Sequence, residues 1–176
     1  MKKICCLLLA LFLLVSFAAC SIHPLMSKEK LLSLDDDDFF ETMMLRYMDQ
    51  PNGLRDFSAT QEQTTYYTLM CLLMEVENGG LCQFFVNSSG ECAPYVSEAL
   101  ERVGAPELKK RYDAFVADNR IDVNDLSYFR TEGLRDYEAL TRQFDFDSFD
   151  DAFYADDSLY ALIIRYAREN IDRIVL

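Results

Sequence analysis

Apolar side chains recur at three- and four-residue intervals along most of the chain, the spacing that lines one face of an α-helix. Phe39, Phe40, Met43, Met44 and Tyr47 form the first such face. It follows Asp35–Asp38, whose carboxylates suit the positive end of a helix dipole. Pro51-Asn52-Gly53 is expected to end this helix. Thr60–Val76 carries the strongest stripe, Tyr66, Leu69, Met70, Leu73 and Val76, widened by Leu72 and Met74. A helix apolar nearly all round is one surrounded by others, so this segment is predicted to be central. Pro94–Val103 reads as a helix with Pro94 in its first turn and Gly104 at its end. Pro106 opens the next, to about Asp118, with Leu108, Tyr112 and Phe115 on one side. Ile121–Gly133 is predicted to be a connection with one helical turn within Asn124–Phe129, and Leu134–Gln143 a helix. The run FDFDSFDD alternates apolar and acidic residues but has no partner strand. It is read as an irregular turn with Phe144, Phe146 and Phe149 tucked inward. Ser158–Ile174 closes the chain, with Tyr160, Ile163, Ala167, Ile171 and Ile174 at helical spacing. The predicted fold is all-α: a single compact multi-helix domain over residues 31–176, built on a central apolar helix.

The segment after that central helix, ENGGLCQFFVNSSGE (Glu77–Glu91), breaks the pattern. Asn78-Gly79-Gly80 can end a helix in a left-handed conformation, letting the chain fold back at once. Leu81–Val86 can then form a short helix that sends Phe84 and Phe85 into the core. Gln83 and Asn87 are four apart, so their amides share a face. Asn87-Ser88-Ser89-Gly90 offers side-chain caps for the next element. Two readings stay open. In one, these polar groups satisfy the backbone at two helix ends. In the other, Glu77, Asn78, Gln83 and Asn87 line a polar binding pocket beside Gly79 and Gly80.

The amino terminus reads as an export signal. Lys2 and Lys3 precede an apolar run, Ile4–Phe17, and small residues lead into Cys20 as FAAC. The run is short for a spanning helix, which needs about 20 apolar residues. The ending is similar to a bacterial lipobox, in which Cys20 would become the lipidated first residue. The alternative is a secretory signal cut near Ala19. The expected organisation is signal peptide 1–19, lipidated Cys20 and tether 20–30, then the helical domain. This places the protein on the extracytoplasmic face of the cell membrane, held by acyl chains on Cys20. Past the anchor only Cys71, Cys82 and Cys92 remain. Three thiols cannot all pair within one chain, which excludes a disulfide framework. Cys71, within an apolar run, is expected to be a buried small hydrophobe. Cys82 and Cys92 flank the corner and are candidates to pair in an oxidising compartment.

The chain has 30 Asp+Glu against 17 Lys+Arg, a net charge of −13. Such a surface repels nucleic-acid phosphates, which argues against direct nucleic-acid binding and leaves a basic protein partner, a cation or mere solubility open. Side chains with catalytic chemistry are sparse. The one histidine, His23, stands beside the anchor, a poor place for a Ser-His-Asp or Cys-His arrangement. The thiols lack zinc-ligand spacing. Asp145, Asp147, Asp150 and Asp151 lack the central glycine and spaced Glu of an EF-hand. Glu75 and Glu77 are two apart and should not face each other on a helix. No cofactor, metal or catalytic residue is predicted.

The run EVENGGLCQFFVNSSGE, followed by EALERVGA, resembles the DNA-mimic protein 19-like family, also called the domain of unknown function 4375. Asn78, Gly79, Gly80, Gln83, Phe84, Phe85, Asn87, Gly104 and Ala105 carry the likeness, and Leu81 stands where the family usually has an aromatic. The segment DDAFYADDSLYALIIRYAREN is similar to the family's closing part. The resemblance implies an all-α fold and no established catalytic residues. One branch acts as an acidic homodimer that imitates DNA and occupies a DNA-binding regulator. An extracytoplasmic anchor would separate this chain from such regulators. The expected role is therefore a protein-interaction module, with a ligand-binding protein or hydrolase using the polar corner as the alternative.

Overall fold

The computed structural model describes residues 26–48, 59–156 and 158–175. The apolar run, Cys20, His23, Pro24, Pro51-Asn52-Gly53 and Asp157 lie outside the described residues. The chain divides between Ser33 and Leu34 into two compact units. The first contributes one described element, α1 (Lys28–Leu32), within a stretch partly read as tether. Ser27 caps it, its hydroxyl accepting from the Lys30 N–H.

The second unit is all helical among its described residues. It contains α2 (Asp36–Met48), α3 (Gln61–Val86), α4 (Val96–Val103), α5 (Pro106–Asp118), α6 (Leu134–Gln143), α7 (Phe146–Tyr154), α8 (Ser158–Glu169) and α9 (Ile171–Ile174). Short 3-10 segments at Ser88–Tyr95 and Leu126–Phe129 join them. As predicted, α3 is central: Tyr66, Leu69, Met70, Leu72, Leu73 and Val76 are all buried, on more than one of its sides. It is long and apolar enough to cross a membrane, but its apolar residues face the protein's own helices. Its start is fixed by a capping box, in which Thr60 Oγ1 accepts from Gln63 N–H and Gln63 Oε1 accepts from Thr60 N–H. Thr60 Oγ1 also donates to the Arg173 carbonyl, and Arg173 pairs with Glu62 at 2.7 Å, so α9 is tied to the start of α3. The buried Tyr47 hydroxyl, on α2, reaches the Ile174 carbonyl at 2.7 Å.

Three sequence expectations are corrected. FDFDSFDD is not an irregular turn: from Phe146 it is the helix α7, capped by Asp145, whose carboxylate accepts from Ser148 N–H. Phe146, Phe149 and Phe153 are buried at helical spacing, and Phe153 lies just beyond the stretch whose alternation suggested otherwise. The closing helix is two, because the backbone departs from helical geometry at Asn170 between α8 and α9. Pro94 does not open α4 but lies within the 3-10 segment before it. The left-handed cap at Gly104 (φ 83°) is as expected.

A ring cluster joins α3 to the rest. Phe85 lies 5.0 Å from Phe129 and 6.4 Å from both Tyr112 and Phe115, centroid to centroid. Phe115 meets Phe146 at 5.0 Å. The helices α5 and α7 and the Leu126–Phe129 segment thus converge on the short end of α3, beyond its glycines.

Candidate functional site at the helix break

The helical geometry of α3 fails at two residues. Gly79 has φ −165° and ψ 22°, and Gly80 has φ 81° and ψ 176°. A break inside a buried helix leaves carbonyls on one side and N–H groups on the other without intrahelical partners. Here side chains from α6 and α7 supply them. The Tyr154 hydroxyl donates to the Val76 carbonyl at 2.5 Å, and the Tyr137 hydroxyl to the Gly79 carbonyl at 3.1 Å. On the far side, Leu81 N–H donates to Asp150 Oδ1 at 2.8 Å. Asp150 therefore caps the restarted helix from a distance in sequence. A Cβ on Gly80 would stand 2.2 Å from Asp150 Oδ2, so that cap needs a glycine opposite it. Burial raises the Asp150 carboxyl above its ordinary range, with Asp147 and Asp151 adding to this and the Leu81 N–H opposing it.

The positive φ is therefore at Gly80, not Gly79. At Gly79 the backbone is extended, and an added Cβ would meet the flexible Gln83 side chain, 2.2 Å from its Oε1. Gln83 is held there by Glu75. Gln83 Nε2 and Asn87 Nδ2 both donate to Glu75 Oε2, at 2.7 and 2.8 Å, and Ser89 Oγ donates to Oε1 at 2.5 Å. The shared face of Gln83 and Asn87 is as the four-residue spacing implied. Its organiser, Glu75, has no periodic relation to either amide, because the break intervenes. Glu75, Ser89, Asp150, Tyr137 and Tyr154 are the residues that sequence spacing does not single out.

An open hollow of about 570 Å³ lies over this network, lined by Met74, Glu75, Glu77, Asn78, Gln83 and Asn87. The structure thus brings Glu77, Asn78, Gln83 and Asn87 together, while Gly79 and Gly80 form the joint beneath. Glu75 and Glu77, two apart, both line the hollow because the helix ends beside them. A second groove, of about 670 Å³, runs between the Ser88–Tyr95 segment and residues 123–130, with Glu91, Asp125 and Arg130 at its edge.

Cys82 and Cys92 are both free and buried. Cys82 lies near Tyr137 and Asp150, and burial pushes its thiol up to about 11. Cys71 is half-buried rather than sealed in the core. Among the described residues no group of three His, Cys, Asp or Glu side chains is placed to hold a metal ion.

The family model for DMP19-like protein matches residues 58–170, from the start of α3 to the end of α8. The chain belongs to that family. No curated protein and no solved structure matches it. The matched stretch of this DMP19-like chain contains the whole helix break, with Glu75, Gly80, Gln83, Asn87 and Asp150 inside it.

Proposed function

We propose that this DMP19-like chain is a protein-interaction module that meets a basic protein partner through its acidic helical surface. Acyl chains on Cys20 hold it at the extracytoplasmic face of the cell membrane. The observation that carries the reading is the 2.7 Å hydrogen bond from the Tyr160 hydroxyl to Asp37. It sets the acidic start of α2, Asp35–Asp38, beside the start of α8, which a second acidic run from Asp145 to Asp156 leads into. Asp35, Asp37, Asp38, Asp147, Asp151 and Asp156 are all exposed. Among the described residues, Asp36 alone in the first run pairs with a cation, Arg168 at 2.9 Å. Exposed charge of one sign steers an oppositely charged protein and loses its reach as salt rises.

The polar corner supports this reading in a second way. The Glu75 carboxylate and the Gln83 and Asn87 amides bond to one another, which leaves those three little free capacity for chemistry. One observation favours a different reading: the hollow over Glu75 has the size of a small-molecule site. A ligand-binding protein or hydrolase working there would be stabilised by its ligand, and replacing Glu77 and Asn78 would abolish that effect.

Two experiments test the proposal. Replacing Cys20 with Ala should leave unprocessed or released protein in a detergent-partition assay, and unchanged membrane retention with unchanged mass contradicts the anchor. Capture of partners from the protein's own membranes should return a basic protein that elutes with salt. Partners that elute only with denaturant, and tolerate high salt, contradict the acidic surface.

A further inference from the structure

The second groove, of about 670 Å³, lies beside the Glu75 network and has the volume of a small-molecule site. Its walls are the Ser88–Tyr95 segment and residues 123–130, and both are fixed. Gly90 lets the first wall close in: a Cβ there would stand 2.9 Å from the Phe85 carbonyl oxygen and 3.0 Å from Leu126 Cδ1. In the second wall, Asp122 accepts from Asn124 N–H at 2.9 Å and Asp125 from Ser127 N–H at 3.0 Å, which sets the turn.

The lining combines apolar surface with charge of both signs. Val86, Pro94, Val123 and Leu126 are only half-buried, so apolar surface stays open between the walls, and Tyr95 beside them is 45% exposed. Glu91 and Asp125 bring negative charge and Arg130 positive charge. Arg130 is exposed, and among the described residues its guanidinium forms no ion pair, although two carboxylates line the same groove. A dianion such as phosphate would be repelled by both carboxylates, and a simple amine by Arg130. A molecule with one charge of each sign meets a complement for both. A guanidinium grips a carboxylate through two parallel N–H···O bonds, and a carboxylate holds an ammonium through a charge-assisted one. We propose that this groove binds a free α-amino acid with an apolar or aromatic side chain, its carboxylate on Arg130, its ammonium on Asp125 and its side chain on the apolar floor. Glu91 adds to the attraction for the ammonium.

The test is calorimetric titration of the full chain with L-leucine, L-phenylalanine and L-tyrosine. The best binder is then compared with its amide, which lacks the carboxylate charge, and its N-acetyl form, which lacks the ammonium. At least one of the three amino acids should bind saturably. Its amide and N-acetyl form should each bind about tenfold more weakly, the loss expected for one charge-assisted bond. Arg130→Met removes a cation with no ion pair in the fold, so the variant should melt as the natural chain does and bind the amino acid and its amide alike. Asp125→Asn keeps an oxygen for Ser127 N–H and should bind the amino acid and its N-acetyl form alike. Absence of saturable binding by all three amino acids at millimolar concentration overturns the proposal, as does equal binding of the charged and blocked forms by the natural chain. Undiminished affinity in Arg130→Met, with loss on replacing Glu77 and Asn78, would put the ligand in the hollow over Glu75 and overturn it too.

Discussion

At Gly80 two constraints coincide, a left-handed backbone and a carboxylate oxygen 2.2 Å from where a Cβ would stand. Gly80→Ala must strain the backbone and displace the Asp150 cap, at a cost of about 1–3 kcal/mol in chemical denaturation. Gly79→Ala meets only the Gln83 side chain, and displacing it gives up a bond to Glu75 but strains no left-handed backbone, so its cost should be smaller. Equal losses for the two would contradict the assignment of the positive φ to Gly80. Asp150 admits a finer separation. Asp150→Asn keeps an oxygen for Leu81 N–H and should fold normally, whereas Asp150→Ala leaves a buried N–H unpaired and should cost about 1–2 kcal/mol. The Asp150 carboxyl is raised in the folded state, so the folded form binds its proton more readily than the unfolded chain does. Its contribution to stability is fully present below the ordinary carboxylate pKa and is lost as pH rises through the raised folded value. The stability of the natural chain relative to Asp150→Asn should therefore fall from pH 3 to neutrality, and the opposite slope contradicts the burial of this group. Little of this is legible in the sequence. NGG announces a break, but neither which glycine is left-handed nor which distant carboxylate caps the restart is written in local spacing.

Among the elements, most helices are readable from the sequence and one short helix is not. The stripe of α3, the Pro106 start of α5 and the limits of α6 follow from periodicity and helix-end residues alone. The misread element is α7. Within FDFDSFDD, alternation and helical spacing share the same phenylalanines, and only Phe153 extends the buried face to a third turn. Asp145 and Ser148 form the cap that marks its start, a signal present in the sequence but outweighed there by alternation. Consequences follow from the ring cluster. Phe85 stands among rings from α5, α7 and the Leu126–Phe129 segment, so Phe85→Ala should cost about 3–5 kcal/mol in denaturant unfolding. Phe40 is only half-buried and touches Tyr160 at 5.2 Å, so Phe40→Ala should cost less. A reversal of that order would place the centre of the core elsewhere.

For the whole molecule, charge decides more than shape. The net charge of −13 is a property of composition, but its distribution depends on the fold, since Tyr160 brings the α2 run to the start of α8. The fold also removes Asp150 from any docking surface, because its carboxylate is committed to Leu81. A test of the acidic surface must therefore spare it, and should use Asp38→Asn, Glu41→Gln, Asp147→Asn and Asp151→Asn together. These four side chains are exposed, so their neutral forms should leave the melting temperature nearly unchanged. The most direct measurement is the affinity of a captured basic partner for the natural chain and for this fourfold variant, titrated from low to physiological salt. Binding through the acidic surface predicts that the natural chain weakens steeply as salt rises, while the variant is weak at low salt and nearly flat. Equal affinities and equal salt slopes for the two proteins would contradict it.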